Sequence, residues 1–67
     1  MPPKIRQLIK ELKREGFVAG SGKGSHRVFK HPFGFIVVLS GQTGSDAKPY
    51  QIREVRSTIK SVKYEKK

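Results

Sequence analysis

Two apolar stripes of helical period stand near the two ends of this chain. They set what can lie between them. Ile5, Leu8, Ile9 and Leu12 recur at i, i+3, i+4 and i+7, and Ile52, Val55, Ile59 and Val62 fall on a similar single face. Each stripe must be buried against something the middle of the chain supplies. The spacing predicts a first helix over about 3–15. Pro3 sits in its first turn, where a missing N–H costs nothing, Lys13 and Arg14 sit in its last turn, and Gly16 follows as the residue past the end. A second helix is expected from Pro49 to about Lys63, with Ser45 or Asp46 as the upstream cap and 63–67 as a fraying charged tail.

Between the helices the period changes to two. Phe17-Val18-Ala19 is a brief strand, and Ser25 to Lys30 and Phe35 to Leu39 are two more, joined by the turn His31-Pro32-Phe33-Gly34. Phe29, Phe35, Val37 and Leu39 are the candidates for the core face. Both alternations of the last strand are apolar, so its register stays open. Period two places His26, Val28 and Lys30 on one face of the middle strand and Arg27, Phe29 and His31 on the other. Ser40 to Lys48 carries no evident apolar anchor and is expected to be a long mobile loop. The expected fold class is α+β: residues 1–67 form a single small α-β-β-β-α domain, a three-stranded antiparallel sheet with two helices on one face. This is the layering of a double-stranded-RNA-binding domain.

With 67 residues the chain buries only about 60% of its unfolded surface, and without cysteine it has no disulfide to reinforce a thin core. A membrane span would need ~20 apolar residues, and the longest run here is Phe35 to Leu39. No apolar segment of the secretory kind follows Met1, so a cytoplasmic location is expected. Fifteen Lys and Arg against five Asp and Glu give a net charge of +10, which suits a polyanionic partner.

The chemistry concentrates in Gly22-Lys23-Gly24-Ser25-His26-Arg27-Val28-Phe29-Lys30-His31-Pro32. It resembles a P-loop only superficially: with Gly22-Lys23 in place that motif needs glycine where Phe17 stands and Ser or Thr where Gly24 stands. His26 is one of two histidines, and imidazole exchanges a proton near neutral pH. Set among Lys23, Arg27 and Lys30, it suits a phosphodiester and points to an RNA-cleaving site. His26 would act as base or acid, Lys23, Arg27 or Lys30 would hold the phosphate, and the Gly24 amide and Ser25 would also contact the RNA. The plainer reading of His26 is a strand histidine satisfied by a backbone carbonyl. Ser25 and Tyr50 are candidates for a second proton-transfer group. His31, before Pro32, is read as a turn residue. The five acids are scattered, so no metal or other cofactor is expected.

Over about residues 4–62 the chain resembles the HicA family of toxins. The resemblance is carried by Gly16-Phe17, by Lys23 to Pro32 with its Gly24-Ser25-His26-x-x-Phe29 core, and by Asp46 to Gln51 followed by Arg53-Glu54-Val55. It implies a small ribonuclease of a toxin–antitoxin pair with a double-stranded-RNA-binding-like fold, which cleaves messenger RNA and is silenced by a HicB antitoxin. It also implies that His26 is the catalytic histidine. Members often carry a second histidine directly after it, where this chain has Arg27. The alternative is a non-catalytic RNA-binding module, against which stands the sparse basic character of Lys48-Pro49-Tyr50-Gln51. An interaction protein whose charge serves only an acidic partner is a third class.

Overall fold

The computed structural model describes residues 2–20 and 26–65. The elements run α1 (Ile5–Arg14), β1 (Val18–Ala19), β2 (Arg27–Lys30), β3 (Ile36–Leu39) and α2 (Pro49–Glu65). The sheet is antiparallel in the order β1-β2-β3. This is the α-β-β-β-α layering expected from the alternating periods.

Helix α1 ends as its sequence requires. Gly16 adopts φ +97, the Gly16 amide donates to the Lys13 carbonyl (3.1 Å), and the Phe17 amide donates to the Leu12 carbonyl (3.1 Å). These two bonds form a Schellman motif, and its accompanying apolar contact is between the buried Leu12 and Phe17. The chain therefore leaves the helix already turned toward the sheet.

The register left open by the sequence is settled by pairing. Phe29 lies opposite Val37 and Arg27 opposite Leu39. Phe29, Val37 and Leu39 enter one core with Ile5, Leu8, Leu12, Val55, Ile59 and Val62, so both helices lie against that face. Each such side chain contributes roughly 1.5–3 kcal/mol by leaving water. Phe35, expected in the core, is half-buried and packs at its margin. Ile36 and Val38 point the other way and are exposed.

The expectation of an unanchored loop over Ser40–Lys48 is not met. Helix α1 has no side-chain cap, and its first amides must find acceptors. The Ile5 amide donates to the Ser45 carbonyl (2.9 Å) and the Arg6 amide to the Thr43 carbonyl (3.0 Å), while the Ala47 amide donates to the Pro3 carbonyl (2.8 Å). Ala47 itself is buried in the core. Neither Ser45 nor Asp46 caps α2: Asp46 pairs with Lys4 at 2.6 Å, and the Gln51 side chain reaches back to accept from the Lys48 amide at 2.9 Å. Helix α2 continues to Glu65, past Lys63 where fraying was expected. Among the described residues no helix is long and apolar enough to cross a membrane.

Candidate functional site

Strand β2 has a histidine just before its start and another just after its end, and the two are in opposite environments. His26 is exposed. It immediately precedes β2, where the ladder is extended by the Gly20 amide donating to the Val28 carbonyl (2.6 Å). Counting back in twos from Lys30 through Val28 puts His26 on the sheet face turned away from the helices. Lys30 is exposed on that face, between Val18 on β1 and Ile36 on β3. Lys23, Gly24 and Ser25, the other residues expected at the site, lie outside the described residues.

His31 is 8% exposed. Its Nε2 lies 2.9 Å from the Glu15 carbonyl, and its Nδ1 accepts from the Phe33 amide at 3.1 Å. An N–H donor facing Nδ1 makes that nitrogen the acceptor, so Nε2 carries the proton and donates to Glu15. The ring meets Phe17 and Phe33 edge-on, with centroids 4.9 and 4.8 Å away. The description weighed for His26, a histidine satisfied by a backbone carbonyl, fits His31. Its role as a turn residue also has content: the Gly34 amide donates to the His31 carbonyl and the His31 amide to the Phe35 carbonyl, both at 2.9 Å.

Arg27 does not share the face of Lys30. It alternates with Val28, lies over the same side as Phe29, and donates from Nη1 to the Gly41 carbonyl at 3.1 Å. Its half-buried stem and this bond tie the start of β2 to the chain leaving β3. Strand alternation therefore groups His26 with Lys30, and the bond to Gly41 sets Arg27 apart.

Gln51 was not singled out by the sequence reading. It is 3% exposed, and while its Oε1 accepts from Lys48, its Nε2 donates to the Ser40 carbonyl at 3.0 Å. Extending the Arg27–Leu39 register by one places Ser40 across from His26, so Gln51 fixes the segment facing the exposed histidine. A glutamine three residues after a helix's capping position, with proline between, was the available signal.

The open face is unusual for so basic a chain. Val18 (66%), Ile36 (58%) and Val38 (49%) are all well exposed there. Cross-strand pairing makes them one surface around Lys30 and Val28. A contiguous exposed apolar surface of this kind marks a place where another molecule can pack.

A search of curated proteins gives no match. The family model for the HicA toxin of bacterial toxin–antitoxin systems matches residues 5–63, which includes every element of the fold up to the last turn of α2. The chain belongs to the HicA toxin family.

Proposed function

We propose that this toxin is a metal-independent endoribonuclease that cleaves messenger RNA with His26 as its catalytic residue. The observation that carries the reading is the exposure of His26 just before β2, where strand alternation gives it the face of Lys30. The imidazole takes the proton of a ribose 2′-hydroxyl, whose oxygen bonds the adjacent phosphorus as the bond to the 5′ oxygen breaks. The departing oxygen then receives a proton. Lys30, with Lys23 and the Gly24 amide, offsets charge on the phosphate oxygens, and Ser25 and Tyr50 remain the candidates for the second proton transfer. Arg27 enters as a positioning residue through Gly41 rather than as a phosphate ligand on the open face. Glu11, Glu15 and Asp46 sit beside Arg56, Lys63 and Lys4, so these carboxylates serve the helices and the loop over α1.

The partner is a protein antitoxin of the HicB kind, which covers Lys23, His26 and Lys30. The exposed Val18, Ile36 and Val38 support this, because an apolar sheet face gains by being buried against protein, and an acidic rim on the partner would meet Lys30.

The test is cleavage of RNA by the purified chain with and without EDTA. Cleavage is expected to persist with the chelator and to leave a 2′,3′-cyclic phosphate and a 5′-hydroxyl, with DNA and 2′-blocked RNA uncut. Loss of cleavage on chelation, restored by Mg²⁺, overturns the metal-independent mechanism. RNA binding without any cleavage selects the non-catalytic module.

A further inference from the structure

Most of the positive charge is not on the face that carries His26. Lys30 is the one described cation grouped there with His26, whereas α2 alone carries Arg53, Arg56, Lys60 and Lys63. Lys63 lies 3.8 Å from Glu15 and belongs to the seam with α1. Arg53, Arg56 and Lys60 instead line a shallow open groove of about 670 Å³ with Ile52 and Ser57. Among the described residues no carboxylate lines it. Glu54 follows Arg53 by one residue, about 100° around the helix. Arg56 has only a long contact, 3.5 Å, to Glu11, and Arg53 and Lys60 form no ion pair among the described residues.

We propose that the outer face of α2 is a second phosphate-binding track, which holds the RNA strand at nucleotides away from the one cut at His26. The spacing fits a chain of phosphates. Arg53 to Arg56 advances about 4.5 Å along the helix and Arg56 to Lys60 about 6 Å, so one strand laid along α2 meets the three cations in turn. Two of the three are arginines, whose planar fork matches two phosphate oxygens at once. An acidic protein is the weaker occupant. The groove's one apolar residue is the half-buried Ile52, and the rest of its apolar wall is the carbon stems of the cations themselves, while the exposed apolar side chains Val18, Ile36 and Val38 lie on the sheet face. The molecule thus presents an apolar face beside its histidine and a cationic face behind it. Its smallest extent is 17 Å, which a strand rising roughly 3.4 Å per nucleotide spans in about five nucleotides, and more around an edge. RNA that engages both faces must therefore be longer than that.

The proposal takes from the ribonuclease reading only the identity of the polyanion, and the experiment separates the two. The full-length His26→Ala chain is titrated with a fluorescent 20-nucleotide RNA and a 4-nucleotide RNA across 50–200 mM salt. The same is done after adding Arg53→Gln, Arg56→Gln and Lys60→Gln together, or, as a charge-matched control on α1, Lys10→Gln, Lys13→Gln and Arg14→Gln. The α2 variant should bind the 20-mer at least tenfold more weakly, with a salt slope shallower by about 2, since each single-strand phosphate contact contributes about 0.7. Its affinity for the 4-mer, which reaches only one face at a time, should fall by less, and it should melt at the same temperature. The α1 control should lose much less affinity for the 20-mer. Equal losses in the two variants mean that net charge alone matters, and overturn the track, as does an unchanged slope in the α2 variant. Competition by polyglutamate as effective as by RNA of equal charge assigns the groove to an acidic protein and also overturns it. Absence of cleavage by the unmutated chain would defeat the ribonuclease reading and leave these binding results standing.

Discussion

The residues immediately before and after β2 show how one short strand can hold a reactive side chain and a structural one of the same type. His26, just before β2, is exposed. His31, five residues later, is buried, with both nitrogens used and aromatic rings against it. A histidine with one nitrogen donating and the other accepting is held in one tautomer and one orientation. The difference comes from neighbours: His31 is enclosed by the Schellman turn at Gly16-Phe17, whereas both helices pack on the Phe29 face of the sheet.

The largest effect expected from this contrast is at His26. His26→Ala should lower RNA cleavage by about 10²–10⁴-fold, the usual contribution of a proton-transfer group. Its melting temperature should stay unchanged, since an exposed substitution of this kind stays within about 0.5 kcal/mol. Cleavage rates and a thermal melt on the same preparation check both parts. A folded variant that cleaves at the normal rate breaks the assignment.

His31→Ala should reverse the pattern. The Phe33 amide and the Glu15 carbonyl lose their partners and the aromatic ring is removed from between Phe17 and Phe33, a cost of about 2–4 kcal/mol. For a domain of this size each kcal/mol lowers Tm by about 4–8 °C, so a drop on the order of 10 °C or more is expected. Below that transition, cleavage should fall far less than for His26→Ala. A variant that melts normally but has lost cleavage would move the chemistry to the wrong histidine.

How much of this contrast was legible beforehand depends on which atoms carry it. The helices were readable because side chains define them: Leu8, Leu12, Val55 and Val62 recur at helical spacing and are fully buried. The face of β3 was not, because Ile36-Val37-Val38-Leu39 is apolar on both sides and only pairing with Phe29 decides between them. The anchoring of Ser40–Lys48 is not legible in the sequence, because its anchors are the carbonyls of Thr43 and Ser45, which any residue offers, and Ala47, too small to announce burial. The motif at Gly24-Ser25-His26 marked the candidate site in the sequence. The burial of His31 did not show there, since Glu15 and Phe17 reach it only through the fold.

Gly16 tests the enclosure from the helix side. At φ +97 any other residue is strained, and a Cβ there would stand 3.2 Å from the Nε2 of His31. Gly16→Ala should therefore cost about 1–2 kcal/mol, part backbone and part displacement of the imidazole from Glu15. Combining it with His31→Ala removes the crowding term. The double variant should be less destabilised than the sum, and strict additivity in a denaturant-melt cycle would mean that the ring and the turn are independent.

The finest distinction is between Arg27 and Lys30, two cations on one strand that point to opposite sides. If the site is a face of β2 rather than a basic stretch of sequence, the two should fail differently. Lys30 is exposed beside Val18 and Ile36 and makes no ion pair among the described residues, so Lys30→Gln should leave the Tm in place and weaken RNA binding several-fold, with a shallower salt dependence. Arg27 gives one hydrogen bond to the Gly41 carbonyl and packs its stem beside the core, so Arg27→Gln should cost about 1 kcal/mol of stability and alter the salt slope little. Arg27→Lys would keep the charge and lose the planar fork, so it should resemble Arg27→Gln in stability. If Arg27→Gln instead matched Lys30→Gln in its salt slope while melting normally, the guanidinium would be holding phosphate. The functional surface would then extend around the start of β2 toward Gly41 rather than stopping at one face of the sheet.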